Sequence, residues 1–257
     1  MEMTMLEIDL NCDMGEGFGV HPGGDDLALL EYVTSANIAC GFHAGDPAIM
    51  SRTVKAAAAR GVAIGAHPGL PDLQGFGRRV MHVSAQEVYD LTVYQVGALR
   101  GFTAAVGVAL HHVKAHGALY NMAARDVELA RALCRAVRDV SPGLVFYALA
   151  GSAMVSAAEE IGLAVAREAF ADRSYQDDGT LTPRGQPGAM IADLEQSITQ
   201  VRRMLADGVV HSLAGRELPL RADTICIHGD QPGALDFARG LATALRRDRV
   251  ALRAPAP

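Results

Sequence analysis

Acidic and amide side chains alternate with apolar ones at the end of the first predicted β-strand. Asp9, Asn11 and Asp13 are separated by Leu10 and Cys12. Side chains of a strand point to the same face at every second residue, so the three polar groups share one face. Burying three such groups without a partner would cost free energy. We therefore predict that this cluster serves a ligand, a metal ion or a catalytic step.

Ionisable residues also follow five other predicted strands. They are His43, His67, Lys114 with His116, Glu168 with Asp172, and His228 with Asp230. In parallel α/β folds the carboxyl ends of the strands meet at one face, where ligands bind. A single Asp or His at such a place is usually a helix cap, but caps alone explain the whole set poorly. We predict that these residues, together with Asp9, Asn11 and Asp13, form one catalytic site.

Lys114 and His116 have the same two-residue spacing as the acidic cluster. A lysine at the end of a buried strand can bind an anionic substrate, act as a base with a lowered pKa, or form a salt bridge with a carboxylate. All three interpretations remain open at this point. His112 and His116 also match H-x-x-x-H, which places two metal ligands on one face of a helix. The context of Val113 and Lys114 is typical of a strand, so this motif is a weak metal signal.

Two long loops follow predicted strands and contain arginines. The loop at 68–79 is rich in glycine and ends in two arginines, and the loop at 169–187 carries further arginines and a tyrosine. The planar guanidinium group suits a carboxylate or a phosphate, although an arginine can also lie over apolar surface in a solvated loop. We predict that both loops flank the site as mobile lids. Four of their side chains are predicted to bind substrate, namely Arg78, Arg79, Arg173 and Tyr175.

Short apolar segments alternate with helical patterns along the chain. The predicted strands are 6–10, 36–40, 62–66, 110–113, 144–149, 164–167 and 224–227. The predicted helices are 25–33, 47–60, 85–106, 126–140, 153–161, 189–207 and 233–246. Apolar strands alternating with helices indicate a parallel sheet covered by helices, and seven such units fit a closed (β/α) barrel. We predict one barrel domain over residues 1–257, with a frayed tail after about residue 250.

The sequence lacks the standard nucleotide-binding motifs. A G-x-G occurs at Gly15 and Gly17, but Val20 stands where the dinucleotide fingerprint has its third glycine. No G-x-x-x-x-G-K-[ST] segment occurs in the chain. Any nucleotide site would therefore be of another kind, or would lie on another protein.

Composition and charge exclude several classes of protein. Of the 257 residues 50% are hydrophobic and 20% charged, which excludes a disordered chain. A formal net charge of −6 without a basic block argues against nucleic acid and anionic membranes as partners. Four cysteines without a C-x-x-C spacing indicate reduced thiols. The acidic N-terminus is unlike a signal peptide, and turn-forming residues interrupt the longest uncharged segment, so we expect a cytoplasmic protein.

Six longer segments together resemble one known family. They are DLNCDMGEGFG at 9–19, NIACGFHAGDP at 37–47, GAHPGLPDLQGFGRR at 65–79, KAHGALYN at 114–121, FADRSYQDDGTLTPR at 170–184 and CIHGD at 226–230. In content and order they resemble the LamB/YcsF or lactam-utilisation family, whose members form the A component of 5-oxoprolinase. The chain departs from the family pattern at Ala115, where proline is usual, and at Leu70, where an aromatic residue is usual.

The resemblance implies a fold and a reaction. The fold is a seven-stranded, TIM-like (β/α) barrel, similar to the barrels of glycoside hydrolases and sugar deacetylases. The reaction is the opening of 5-oxo-L-proline to L-glutamate with hydrolysis of ATP to ADP and phosphate, carried out with partner subunits B and C. A five-membered lactam re-forms readily because its amine and carboxyl are held together, so opening it needs coupling to ATP. Because the chain has no P-loop, we expect the ATP site to lie wholly or partly on a partner.

Two other hypotheses remain open. In the first, the chain is a metal-dependent carbohydrate deacetylase, in which a divalent ion activates water. The Asp9 and Asp13 pair, together with His43 and His67, would hold this ion, with Asp13, His43 and His67 as the first choice of ligands. In the second, the chain is a non-catalytic scaffold subunit. Charge-neutral substitutions in the polar cluster would then leave the complex active.

Overall fold

Ten strands occur in the residues that the structure describes, which are 6–21, 25–229 and 233–256 of a computed structural model. In chain order they are β1 (Glu7–Met14), β2 (Ser35–Ala39), β3 (Ala63–His67), β4 (His112–Lys114), β5 (Val145–Leu149), β6 (Val165–Phe170), β7 (Val209–His211), β8 (Glu217–Pro219), β9 (Thr224–Ile227) and β10 (Ala251–Leu252). Strands β1 to β6 pair in parallel in chain order, and β9 pairs with both β6 and β1. The predicted seven-stranded parallel barrel is confirmed.

Helices connect the barrel strands and cover the outside of the barrel. They are α1 (Asp26–Leu29), α2 (Pro47–Ala59), α3 (Ala85–Ala105), α4 (Gly117–Ala123), α5 (Val127–Val140), α6 (Ala153–Glu160), α7 (Leu194–Ala206) and α8 (Ala234–Arg247). Local sequence sets several of their starts. The Asp46 carboxylate accepts hydrogen bonds from two backbone N–H groups at the start of α2, and Ser84 with Glu87 forms a capping box on α3. Within the described ranges, no helix is both long and apolar enough to cross a membrane.

Several predicted boundaries are wrong. Strand β1 continues to Met14, four residues beyond its predicted end, because residues 11–14 pair with β2. Helix α7 begins at Leu194 rather than at 189, since Asp193 caps it and the preceding residues pair with the loop after β6 instead. Helix α1 ends at Leu29 rather than at 33. Helix α4 and the β7–β8 hairpin were not predicted.

The C-terminal segment is bound to the bottom of the barrel. Strand β10 pairs in parallel with β1, where Glu7 lies opposite Ala251 and Ile8 opposite Leu252. Farther along, the His111 ring donates a hydrogen bond of 2.9 Å to the Pro255 carbonyl oxygen. The expectation of a frayed tail after about residue 250 is therefore wrong for the described residues up to 256.

The two faces of β1 differ sharply in polarity. Ile8, Leu10, Cys12 and Met14 belong to the apolar core between the sheet and the helices. The alternate residues point into the barrel, as the two-residue period predicts. Barrels of this kind are usually filled with branched apolar side chains. In this chain the interior is instead largely polar, with Asp9, Asn11, Ser35, Asn37, His112, Glu168 and Thr224 all buried.

A continuous set of hydrogen bonds satisfies these buried groups. The His112 ring donates to the Asn37 oxygen at 2.8 Å, and the Asn37 amide donates to the Asn11 oxygen at 2.8 Å. The Asn11 amide donates in turn to Thr224 Oγ1 at 2.7 Å, and the Thr224 hydroxyl donates to Asp9 Oδ2 at 2.6 Å. Buried polar groups are tolerated when they are paired in this way. The chain of bonds also fixes the side chains that support the carboxyl end of the barrel.

Asp9 lies at the lower end of this interior network. Its carboxylate accepts hydrogen bonds from the hydroxyl groups of Thr34, Ser35 and Thr224. Burial raises the pKa of Asp9 above its usual value of 3.8, although these hydroxyl groups oppose the shift. The carboxyl group is thus more readily protonated in the folded state than in the unfolded chain.

Replacing Asp9 with Asn should therefore alter how stability depends on pH. The pKa of Asp9 is higher in the folded protein than in the unfolded chain, so the protonated carboxyl group stabilises the fold. This stabilisation is complete below pH 3.8 and is lost as the pH rises through the pKa of Asp9 in the folded protein. Between about pH 4 and about pH 7, the wild type should lose stability relative to Asp9→Asn, by about 1.4 kcal/mol for each unit of pKa elevation. Urea unfolding at both pH values measures this difference.

Asp46→Asn provides a control of opposite sign. Backbone hydrogen bonds from Ile49 and Gly19 lower the pKa of Asp46, so the wild type should gain stability relative to Asp46→Asn as the pH rises. Equal pH dependence for the wild type and Asp9→Asn would contradict the assignment of a raised pKa to Asp9.

Candidate active site

A pocket of about 340 Å³ opens at the carboxyl end of the barrel strands. Its floor consists of side chains at the strand ends, and its walls come from α4 and the two arginine-containing loops. The polar residues that line it are Asp13, Glu16, His67, Arg78, Lys114, His116, Tyr120, Asn121, Arg125, Arg173, Thr180, Arg184 and His228. Both loops flank the pocket, as the sequence predicts, whereas their mobility stays a prediction.

Lys114 is the central cation of the pocket floor. Its Nζ lies 3.0 Å from Asp13 Oδ1, 2.8 Å from Glu168 Oε1 and 3.2 Å from Asn11 Oδ1. Burial lowers the pKa of Lys114, but the charges of Asp13, Cys226 and Glu168 outweigh burial and raise the pKa well above its usual value. The side chain stays cationic. The interpretation as a base with a lowered pKa is wrong, and the salt-bridge interpretation is confirmed.

Asp13 is an ionised carboxylate that faces the pocket. Burial raises its pKa, but the charges of His67 and Lys114 act in the opposite direction and hold the pKa well below its usual range. Its Oδ1 accepts a hydrogen bond from Asn37 as well as from Lys114, and its Oδ2 lies 3.3 Å from His67 Nε2. Asp13 thus contacts both the lysine and the neighbouring histidines.

Three imidazole rings lie together at one side of the floor. The rings of His43 and His116 stack with their centroids 3.6 Å apart, and the ring of His67 meets His116 edge-on at 4.8 Å. Each follows a different strand, which is why the barrel brings them together. Glu16 joins them, with its Oε1 at 3.3 Å from His43 Nε2 and at 3.3 Å from His116 Nδ1.

Two glycines explain how the loop after β3 fits against these rings. A Cβ atom on Gly69 would lie 2.5 Å from His43 Nδ1, and a Cβ on Gly77 would lie 2.7 Å from His43 Cβ. Gly77 also has a φ of 62°, which a residue with a side chain adopts only with strain. The glycine content of this loop therefore reflects close packing over the histidines.

His228 is oriented by Asp172. The His228 Nδ1 lies 2.8 Å from Asp172 Oδ2, and the backbone N–H of His228 donates to the same carboxylate at 3.2 Å. Burial raises the pKa of Asp172, but the charge and hydrogen bonds of His228 outweigh it, so the pKa is lowered. Because Nδ1 donates to the carboxylate, Nε2 is left as an acceptor. A histidine held in this way can exchange protons with a ligand in the pocket.

Arginines give one wall of the pocket a positive charge. Arg78, Arg173 and Arg184 all line it, and the first and second are among the predicted substrate-binding residues. The Arg173 guanidinium donates to the backbone oxygens of Thr182 at 2.6 Å and Ala189 at 3.3 Å, which holds the second loop in place. Burial and the charge of Arg184 lower the pKa of Arg173 to about 10. Two neighbouring guanidinium groups favour an anion at this wall.

The structure corrects the placement of five predicted site residues. Asp9 and Asn11 lie below the pocket in the barrel interior, because β1 extends past both of them. Arg79 turns away to pair with Asp72, and Tyr175 is fully buried, where its hydroxyl accepts a hydrogen bond from the Phe170 backbone. Asp230 lies outside the described residues. His43 is buried against His116 and does not itself line the pocket.

Three residues outside the predicted set belong to the site, and one of them is Arg184 at the arginine wall. Glu16 contacts all three histidines, and its position three residues after Asp13 was the available signal. The Tyr120 hydroxyl donates to Glu168 Oε2 at 2.7 Å and lines the pocket. Tyr120 lies on α4, the short helix that the sequence pattern did not predict.

Comparison with known proteins agrees with this architecture. The model of the LamB/YcsF family matches residues 8–257. The chain belongs to the LamB/YcsF family. The A component of 5-oxoprolinase from Bordetella pertussis is 64% identical over 247 residues, which cover 96% of this chain and 98% of the relative. The protein of the same name from Bacillus subtilis is 58% identical over 242 residues, 94% of each chain.

A solved structure shares the fold of this family member closely. The crystal structure of the lactam utilization protein from Thermus thermophilus has a TM-score of 0.92 and 47% sequence identity. The similarity covers 97% of this chain and 100% of that chain. The family that the motifs indicate is therefore confirmed, and so is its barrel.

Removing the charge of Lys114 should destabilise this LamB/YcsF protein strongly. Lys114→Met would leave Asp13 and Glu168 as buried carboxylates without their cation, which costs about 3–5 kcal/mol in comparable buried pairs. The free energy of unfolding from urea titration measures this loss. The matched control is Lys55→Met on the exposed face of α2, which should change stability by less than about 0.5 kcal/mol. A similar small effect at both positions would contradict the role given to Lys114.

Proposed function

We propose that this chain is one component of an ATP-dependent 5-oxoprolinase. The reaction is the opening of 5-oxo-L-proline to L-glutamate, with ATP hydrolysed to ADP and phosphate, and the partners are subunits B and C. The observation that carries the proposal is a single pocket that combines an oriented histidine, an ionised carboxylate and an arginine-lined wall. Relatives at up to 64% identity are named as the A component of 5-oxoprolinase, which supports the same reaction.

The substrate has features that match the two sides of the pocket. 5-Oxoproline carries a carboxylate next to a neutral five-membered lactam. The carboxylate binds at the wall formed by Arg173 and Arg184, since guanidinium groups pair well with carboxylates. The lactam then faces the floor, where Asp13 and His228 lie. A pocket of about 340 Å³ has room for this small molecule and for a phosphoryl group.

Hydrolysis of the lactam requires proton transfers that this floor can perform. A phosphoryl group from ATP on the lactam oxygen makes the ring carbon electrophilic, and water then attacks that carbon. His228 Nε2 accepts a proton from the water and returns it to the ring nitrogen as the C–N bond breaks. Asp172 stabilises the imidazolium that forms between the two transfers. Breaking the C–N bond leaves the phosphoryl group on the new carboxyl group as an acyl phosphate, and a second water hydrolyses this acyl phosphate to the free carboxylate and phosphate. Over the whole reaction, ATP, the lactam and two waters therefore give glutamate, ADP and phosphate.

Asp13 has an electrostatic role in this scheme. Its carboxylate is held ionised by Lys114 and faces the water that attacks the ring. A fixed negative group at that position orients the water and stabilises the positive charge that develops on it. The ATP site is placed on a partner or shared with it, because the sequence contains no phosphate-binding loop.

The test is ATP-dependent release of glutamate from 5-oxoproline. The chain alone should release almost none, and the complex with subunits B and C should be active. In the complex, Asp13→Asn and His228→Ala should each lower the rate by at least about 10²-fold without loss of assembly. Lys55→Met, on the outer face of α2, is the control and should retain wild-type activity.

Different outcomes would support the other hypotheses. Full ATP-dependent activity of the purified single chain would contradict the placement of ATP on a partner. Wild-type activity of Asp13→Asn and His228→Ala complexes would favour the scaffold subunit. Release of acetate from an acetylated oligosaccharide without ATP would favour the carbohydrate deacetylase.

A further inference from the structure

Four potential metal ligands converge beside the pocket floor. They are His43 Nε2, His67 Nε2, His116 Nδ1 and Glu16 Oε1, and the ligand atoms of these residues all lie within 4.8 Å of one another. All three histidines are buried, with at most 4% of each residue exposed. The scheme proposed for lactam hydrolysis uses Asp13, His228 and the arginines, so this cluster has no task in it.

Backbone carbonyls fix the tautomers of two of these rings. His67 Nδ1 lies 2.8 Å from the Lys114 carbonyl oxygen, and His116 Nε2 lies 2.8 Å from the Phe76 carbonyl oxygen. A carbonyl oxygen only accepts hydrogen bonds, so the ring nitrogen facing it must carry the proton. The other nitrogen of each neutral ring, His67 Nε2 and His116 Nδ1, therefore presents a lone pair.

These two lone pairs face each other. The distance between His67 Nε2 and His116 Nδ1 is 3.0 Å, and each is 3.3 Å from a carboxylate oxygen, of Asp13 and of Glu16 respectively. Acceptors at such distances repel one another unless a cation lies between them.

We propose that Glu16, His67 and His116 bind one divalent transition-metal ion. A metal lies in the plane of each imidazole that binds it, and the ring of His43 stacks parallel to that of His116 at 3.6 Å, so His43 lies beside the ion and does not bind it. In a tetrahedral site with metal–ligand bonds of about 2.0–2.2 Å, neighbouring ligand atoms lie about 3.3–3.6 Å apart. The separations of 3.0, 3.3 and 3.9 Å among these three ligand atoms bracket this value. Two imidazoles and a carboxylate suit zinc and its neighbours, whereas magnesium and calcium prefer oxygen ligands.

The surrounding structure supports this assignment. The carbonyl groups that hold His67 and His116 are the outer partners that metal-binding histidines usually have. Gly69 and Gly77 leave the space that His43 needs to approach the other rings. The ligand set differs from the one considered from sequence, because Asp13 pairs with Lys114 and His43 stacks on His116. Glu16 and His116 take their places.

The second cluster of potential ligands is a poorer metal site. Asp13, Cys226 and His228 also lie close together. Lys114 Nζ lies 3.0 Å from Asp13 Oδ1 and 3.1 Å from Cys226 Sγ, so a fixed positive charge already occupies that position. A second cation there would be repelled.

The ion would be accessible from the pocket. Glu16, His67 and His116 line it, so a bound metal could act as a Lewis acid on an oxygen of the ligand. Assigning that oxygen to the lactam rests on the proposed function. The metal site itself does not.

The test is metal binding by the purified full-length chain after dialysis against a chelator. Titration with Zn²⁺, followed by calorimetry and by elemental analysis, should give one ion per chain. Co²⁺ as a spectroscopic probe should give the visible absorption typical of nitrogen and oxygen ligands in a tetrahedral site. His67→Ala should lose the site, and Glu16→Gln should weaken binding by at least about tenfold.

The exposed His82 provides the matched control, and His82→Ala should bind Zn²⁺ as the wild type does. Circular dichroism reports whether the His67→Ala variant is folded. If that variant is unfolded, the Glu16→Gln variant, with its substitution at the pocket wall, still tests the metal site. Binding of less than about 0.1 ion per chain, or equal binding by wild type and both site variants, would overturn the proposal. The metal-binding assay needs neither ATP nor partner subunits. Stoichiometric Zn²⁺ binding together with an absence of glutamate release from the complex would therefore refute the proposed function but not the metal site.

Discussion

The ion pairs of Lys114 make the site of this barrel possible. Its ammonium group lies between Asp13 and Glu168 in the barrel interior, where only 3% of the lysine is exposed to solvent. Two carboxylates so close to each other would otherwise raise one another's pKa, and one of them would be protonated. With the lysine between them, Asp13 stays ionised where it faces the pocket. The charge state of the floor is therefore set by one residue at the end of a three-residue strand.

This arrangement requires a polar barrel interior, and the interior meets the requirement. Lys114 also donates to Asn11, which is held by Asn37, and Asn37 is in turn held by the His112 ring. Each donor in this series of hydrogen bonds has a defined acceptor, so the side chains have one arrangement rather than several. Apolar side chains would fill the same space but would not orient the lysine. The usual apolar filling of such barrels is thus replaced by hydrogen bonds that support the floor of the site.

The two-residue period of side chains along a strand correctly predicts which residues of β1 share a face. It does not predict how far below the pocket each of these residues lies. Asp9, Asn11 and Asp13 do share one face, yet at about 3.3 Å per residue Asp9 lies about 13 Å from Asp13 along the strand. Only Asp13 of the three reaches the pocket. The two arginines at the end of the loop show a second limit, since Arg78 lines the pocket while its neighbour Arg79 pairs with Asp72. Loop direction depends on tertiary contacts, such as those of the loop glycines with the histidines, and no local pattern encodes them.

Asp13 connects the two halves of the floor through its two oxygens. Oδ1 accepts from Lys114 at 3.0 Å, and Oδ2 lies 3.3 Å from His67 Nε2. A change of charge at the lysine would therefore alter the field at the histidines, and a cation among the histidines would strengthen the ionisation of Asp13. The lysine and the histidine cluster are consequently not independent, although they follow different strands. A substrate that approaches Asp13 would meet both at once, because the barrel brings all of these strand ends to the same face.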